Sequence, residues 1–160
     1  MDIHQFQSFK GAIARIYHYQ HETVIGAGFL VTPCHVLTCA HVVTAALGLS
    51  TNTQEQPTAT VCLDFPLTRP GVFYEARVVM WCPVNPGDSK EDIADLELTT
   101  VLGATLSPVQ LCSTDEVWDH PLRVFGFPKN HEDGLWATGT MRDRIANGWV
   151  QLDAIMSQQR

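Results

Sequence analysis

Two residues have types and settings that could do chemistry together. His41 lies in Thr38-Cys39-Ala40-His41-Val42-Val43, directly after Val36-Leu37, and Asp92 opens the segment DIADLELTT. An imidazole at a strand-to-helix corner has what a general base needs, a fixed orientation and a side open to substrate. Strand alternation places Ala94, Leu96 and Leu98 on one face, with Asp92 sharing their parity, and Asp95, Glu97 and Thr99 on the other. Asp95 and Glu97 are then expected in solvent, whereas Asp92 points to the core side, where a carboxylate needs a strong hydrogen-bond donor. An imidazole N–H is a suitable one, and a carboxylate orienting a histidine is the arrangement that activates a hydroxyl nucleophile. The plainer readings are a core or surface histidine and a turn-capping aspartate. Periodicity alone does not choose between them.

The elements that would position these residues are short. The segments are β-branched and separated by Gly, Pro, Asn or Asp, the pattern of an antiparallel β protein. Strands are expected at Ala12–Tyr19, Ile25–Thr32, His35–Thr38, Thr58–Leu63, Tyr74–Trp81 and Ile93–Thr99, enough to close a small barrel. A second group falls at Leu122–Gly126, Trp136–Met141 and Trp149–Asp153, with a softer boundary near residues 112–120. The Ala/Val-rich run Ala40–Leu47 reads as a short helix ending at Gly48. Ser50–Pro57, which is polar, and Cys82–Glu91, which carries two prolines and a glycine, read as loops.

Composition sets the outer bounds. The 160 residues are 45% hydrophobic and 17% charged, the balance of a folded domain rather than a disordered chain. A net charge of −7 with scattered Lys and Arg argues against nucleic acid or an anionic membrane as partner. The N-terminus has no basic region leading into a long apolar run, and no stretch has the length of a membrane span. The five cysteines cannot all pair within one chain, which points to free thiols and the cytoplasm.

GAGFLV, VLTCAHVV and DIADLEL, taken in order, resemble the trypsin-like serine peptidases in their bacterial form. LRVFGFP, Gly139-Thr140-Met141 and Val150-Gln151-Leu152-Asp153-Ala154 are similar to later strands of that family, so the resemblance runs from about Gly11 to Ala154. It implies an all-β fold of two six-stranded antiparallel β-barrels, the first complete and the second only partly present. The expected division is 1–114 for the barrel carrying His41 and Asp92, and 115–160 for the first half of the second barrel. The implied function is a serine endopeptidase using a Ser-His-Asp triad, with His41 as base and Asp92 as orienting acid, acting on a protein or peptide substrate. No cofactor and no metal are implied.

The nucleophile is the departure from the pattern. The family carries it in a G-x-S-G turn shortly after the Q-x-D-A strand, and no such turn is present. Ser157 has no neighbouring glycine, and Ser89 in Pro86-Gly87-Asp88-Ser89-Lys90 sits three residues before Asp92, which does not let it reach the opposite side of the imidazole. Ser8, Ser50, Ser107 and Ser113 also lack glycine neighbours, and no cysteine occupies a G-x-C-G setting. The serine is therefore expected beyond residue 160, supplied by a C-terminal continuation or partner chain completing the second barrel. The 160 residues alone are expected to be inactive. The competing expectation is an inactive peptidase-like binding or effector module, for example the N-terminal part of a larger bacterial signalling or defence protein. A zinc site at Cys34, His35, Cys39 and His41 is the other competitor, but no second Cys pair follows at zinc-finger spacing.

Overall fold

The structure is a computed structural model that describes residues 9–20, 23–85, 87, 91–100, 102 and 106–156. The chain divides into two compact units, Met1–Gln110 and Leu111–Arg160. The protein is mostly β.

The first unit holds six strands: β1 (Ile13–Tyr17), β2 (Val24–Thr32), β3 (His35–Thr38), β4 (Val61–Phe65), β5 (Arg69–Cys82) and β6 (Ile93–Leu98). They form a closed barrel in the order β1-β2-β3-β6-β5-β4, and every neighbouring pair is antiparallel. Alternation explains why. In β6, Ala94, Leu96 and Leu98 are buried and their neighbours face outward, and β3 buries Val36 and Thr38 in the same way. Ile16, Leu30, Val36, Leu63, Phe65 and Leu96 are fully buried and make the centre of the core, each such side chain contributing about 1.5–3 kcal/mol.

Where β1 meets β4, a buried charge sits on the strand face opposite Ile16 and Leu63. Arg15 donates from Nε to Asp64 Oδ1 at 3.0 Å and from its guanidinium to Oδ2 at 2.8 Å. The Asp64 side chain is completely buried, and the Gly71 N–H adds a third donor to it at 3.0 Å. With its oxygens satisfied this way, the carboxylate tolerates removal from water. Its charge also acts on Tyr17: burial first, then the neighbouring Asp64, push the phenol up to about 12.

A short helix, α1 (Ala40–Ala46), follows β3 at once and buries Ala40, Val42, Val43, Thr44 and Ala46. Gly48, at φ +65, terminates it in the left-handed conformation that glycine accepts most readily. The helix lies close against β2. A Cβ at Gly26 would meet Val42 Cγ2 at 2.8 Å, and one at Gly28 would meet Val36 Cγ1 at 2.8 Å and the Leu37 carbonyl at 2.9 Å. The two glycines of GAGF are thus required by close approach.

The loop expected at Ser50–Pro57 is found, whereas the start of β5 moves. The Ser50–Pro57 loop is tied to β5: Trp81 Nε1 donates to the Gln54 carbonyl at 3.2 Å, Gln56 Nε2 donates to the Val78 carbonyl at 2.8 Å, and Pro57 is buried. Strand β5 begins at Arg69 rather than Tyr74, because Pro70 and Gly71 lie at the strand's start, where proline is tolerated.

The second unit is a three-stranded antiparallel sheet in the order β7 (Pro121–Gly126), β8 (Leu135–Arg144), β9 (Val150–Met156). Phe125 packs against Trp136 across β7 and β8 with ring centroids 4.8 Å apart. Val124, Trp149 and Leu152 remain exposed. No helix among the described residues is long and apolar enough to cross a membrane.

Candidate active site

The register of two strands brings the site together. β3 and β6 pair so that Thr38 lies opposite Ala94. The residues leaving β3 and those entering β6 therefore share one end of the barrel. Cys39 is extended (φ −79, ψ 143), and α1 starts immediately after it, so His41 sits in the first turn beside Asp92. The two are 51 positions apart in sequence.

Both carboxylate oxygens of Asp92 are used. The imidazole Nδ1 lies 2.6 Å from Oδ2, and the His41 backbone N–H donates to Oδ1 at 2.9 Å. With Asp92 ionised, the carboxylate only accepts, so Nδ1 carries the proton and Nε2 is left with a free lone pair. Partial burial works to raise the Asp92 carboxyl, but the hydrogen bonds from the His41 N–H and imidazole and from the Ala40 N–H outweigh it. The net result lies below the ordinary carboxylate range. The His41 side chain is 57% exposed and that of Asp92 32%, so the imidazole is held on one side and reachable on the other. Such a pair can withdraw a proton at Nε2 and stabilise the imidazolium that forms.

Cys39 belongs to this corner as well. Burial raises its thiol, and the Asp92 charge and a hydrogen bond to that carboxylate raise it further. One donor atom each from Cys39, His41 and Asp92 lie within 4.8 Å of one another. Cys34 and His35, weighed above as ligands beside them, are engaged elsewhere. The Cys34 sulfur lies 3.8 Å from Thr32 Oγ1, and His35 Nδ1 lies 2.9 Å from Asp95 Oδ2.

That last contact corrects an expectation. Asp95 is on the outer face of β6, but it is not solvated: its side chain is 20% exposed, and Oδ1 is buried without a hydrogen-bond partner. Strand parity placed it correctly; only the β3–β6 register could reveal that His35 covers it. The Cys39–Asp92 approach was hidden for the same reason, although the thiol's place two residues before His41 was visible.

No serine hydroxyl among the described residues hydrogen-bonds His41, and the Ser50 hydroxyl accepts from the Asn52 N–H. Ser8, Ser89 and Ser157 lie outside the described residues.

Comparison with known proteins places the fold. A family model described as trypsin-like peptidase domain matches residues 26–158. No curated protein sequence matches the chain. An inactive serine-to-alanine mutant of Rv3671c from M. tuberculosis H37Rv is 19% identical with TM-score 0.59, the match covering 88% of this chain and 57% of that one. Neuropsin, a serine protease expressed in the limbic system of mouse brain, is 20% identical with TM-score 0.56, covering 86% of this chain and 62% of its own. The scabies mite inactivated protease paralogue S-D1 is 17% identical with TM-score 0.58, covering 84% and 59% respectively. At these identities the likeness is one of fold. The chain spans less than two thirds of the length of each of these structures.

Proposed function

Since the chain belongs to the trypsin-like peptidase domain family, we propose that it supplies the base and orienting acid of a serine endopeptidase. In this reading the 2.6 Å contact between His41 Nδ1 and Asp92 Oδ2 is the observation that matters most. A substrate carbonyl is attacked by a serine Oγ whose proton passes to His41 Nε2, while Asp92 keeps Nδ1 protonated and balances the imidazolium charge. The imidazolium then returns its proton to the leaving amine, and water repeats the cycle on the acyl-enzyme.

The serine and oxyanion hole come, in this proposal, from a G-x-S-G segment outside these 160 residues. That segment and further strands would complete β7–β9 as a second six-stranded barrel. The setting is the reducing cytoplasm, which five cysteines outside any disulfide support. The substrate is a protein or peptide, and no cofactor takes part.

A fluorophosphonate probe, which phosphonylates an activated serine Oγ with loss of fluoride, tests this. The full-length gene product should be labelled and cleave peptides, and His41→Ala should abolish both. The 160-residue chain alone should show neither. A complete protein that is never labelled would overturn the enzyme reading. It would leave the alternative, an inactive peptidase-fold module that binds partners within a larger bacterial signalling or defence protein. The similarity to an inactivated mite paralogue fits that alternative, since a fold persists when its chemistry is lost.

A further inference from the structure

We propose that Cys39, His41 and Asp92 form a binding site for a zinc-type divalent cation, and that its occupation is incompatible with His41 acting as a base. The inhibitory half of this rests on the function proposed above; the binding half does not.

The donor set is the first ground. One sulfur, one imidazole nitrogen and one carboxylate oxygen lie within 4.8 Å of one another. Mixed S, N and O ligation suits zinc, and three protein ligands leave a fourth tetrahedral position for water. The second ground is that two donors are already held. Asp92 is fixed by the His41 backbone N–H, and the imidazole is fixed by Asp92. The third is that the sulfur already lies beside Asp92, a member of the same donor set, and is not engaged by the helix. Cys39 is the N-cap of α1 but makes no side-chain capping hydrogen bond, and it is exposed.

The imidazole–carboxylate side of the set needs little movement, and the Cys39 sulfur closes in from within 4.8 Å. Tetrahedral bonds of about 2.0–2.3 Å place ligand atoms about 3.3–3.5 Å apart. His41 Nδ1 and Asp92 Oδ2, now 2.6 Å apart, would separate by less than an ångström-scale step of the ring. The cation takes the place of the Nδ1 proton. As the metal–sulfur bond forms, the Cys39 thiol proton leaves to buffer. Coordination at Nδ1 leaves the neutral imidazole's proton on Nε2, the nitrogen that must be free to accept one. Metal binding and general-base catalysis therefore require opposite tautomers of the one imidazole.

Cobalt(II) substitution reads the site directly. Added to the purified chain, Co²⁺ should produce a thiolate-to-metal charge-transfer band that Zn²⁺ displaces. Cys39→Ser should abolish the band and weaken Zn²⁺ binding at least ~10-fold, with Asp92→Asn weakening it to a similar degree. His35→Ala should leave it unchanged. On the unmutated chain, Zn²⁺ should protect Cys39 but not Cys112, which is also exposed, from alkylation. A missing band, a band that survives Cys39→Ser in a folded variant, or equal alkylation of Cys39 and Cys112 in Zn²⁺ would overturn the proposal. In the full-length protein, Zn²⁺ should block fluorophosphonate labelling and a chelator should restore it. Metal binding without any labelling under chelator would defeat the peptidase reading while leaving the metal site standing.

Discussion

Gly26 of β2 stands directly beneath Val42, the residue after His41, with no space for a methyl group: a Cβ there would lie 2.8 Å and 2.9 Å from the two Val42 methyls. The backbone of the strand and the helix that carries His41 are thus fitted to each other through the absence of one side chain.

Gly26→Ala should lower the unfolding free energy by about 1–3 kcal/mol, the usual cost of overpacking. Gly126→Ala, where an added Cβ meets nothing within 4 Å, should change it by less than about 0.5 kcal/mol. Urea denaturation of the two variants makes the comparison. Equal effects would mean that α1 shifts freely, and that His41 is not positioned by this contact.

Asp92 should make stability depend on acid. Its carboxyl is lowered in the folded protein despite partial burial, because the His41 and Ala40 donors favour the ionised form. The unfolded chain, with an ordinary value of about 3.9, then binds the proton more readily. The contribution is present above that value and is lost as pH falls through the lower folded one. Denaturation series across this range should show a steeper acid loss for the parent protein than for Asp92→Asn.

Tyr17 should behave in the opposite sense at high pH. Its phenol is pushed up to about 12 by burial and by Asp64. Whatever stability the protonated phenol carries is complete below its ordinary value of about 10 and disappears as pH rises through the folded one. Ultraviolet titration of tyrosinate should find Tyr17 ionising late, and Asp64→Asn should bring it down part of the way, because burial remains.

His35→Ala should cost about 1–3 kcal/mol, the range for leaving a buried polar group unsatisfied. Asp95 Oδ1 already lacks a partner, and the imidazole is the one group bonded to Oδ2 among the described residues. Thermal unfolding of His35→Ala, Asp95→Ala and the double variant His35→Ala/Asp95→Ala gives the coupling. Additive effects would show that the pair is merely adjacent.

Much of the first unit was legible in the amino-acid order. Alternation in IADLEL separated core from surface, and the turn residues marked all six strands of the barrel. The helix after Thr38 was visible because its Ala/Val run stops at Gly48. What stayed hidden depended on register and distance. Nothing in the order of residues says that His35 crosses to Asp95, or that Cys39 reaches Asp92. Glycine in GAGF could equally have marked a bulge; that α1 presses on it is a fact of packing. Serine chemistry was legible only as a gap in a pattern.

The ion pair between Arg15 and Asp64 has a consequence for how the ring of strands comes to exist. It spans 49 positions and joins the two strands whose pairing turns an open sheet into a cylinder. Closing so long a loop is entropically costly and comes before the reward of burial. Until it happens, β1 and β4 are both bare edges that can recruit strands from other molecules. Losing either partner would leave a largely buried charge unpaired, and it would also lengthen the time those edges stay open. The variant Asp64→Ala should therefore announce itself first as concentration-dependent aggregation on refolding.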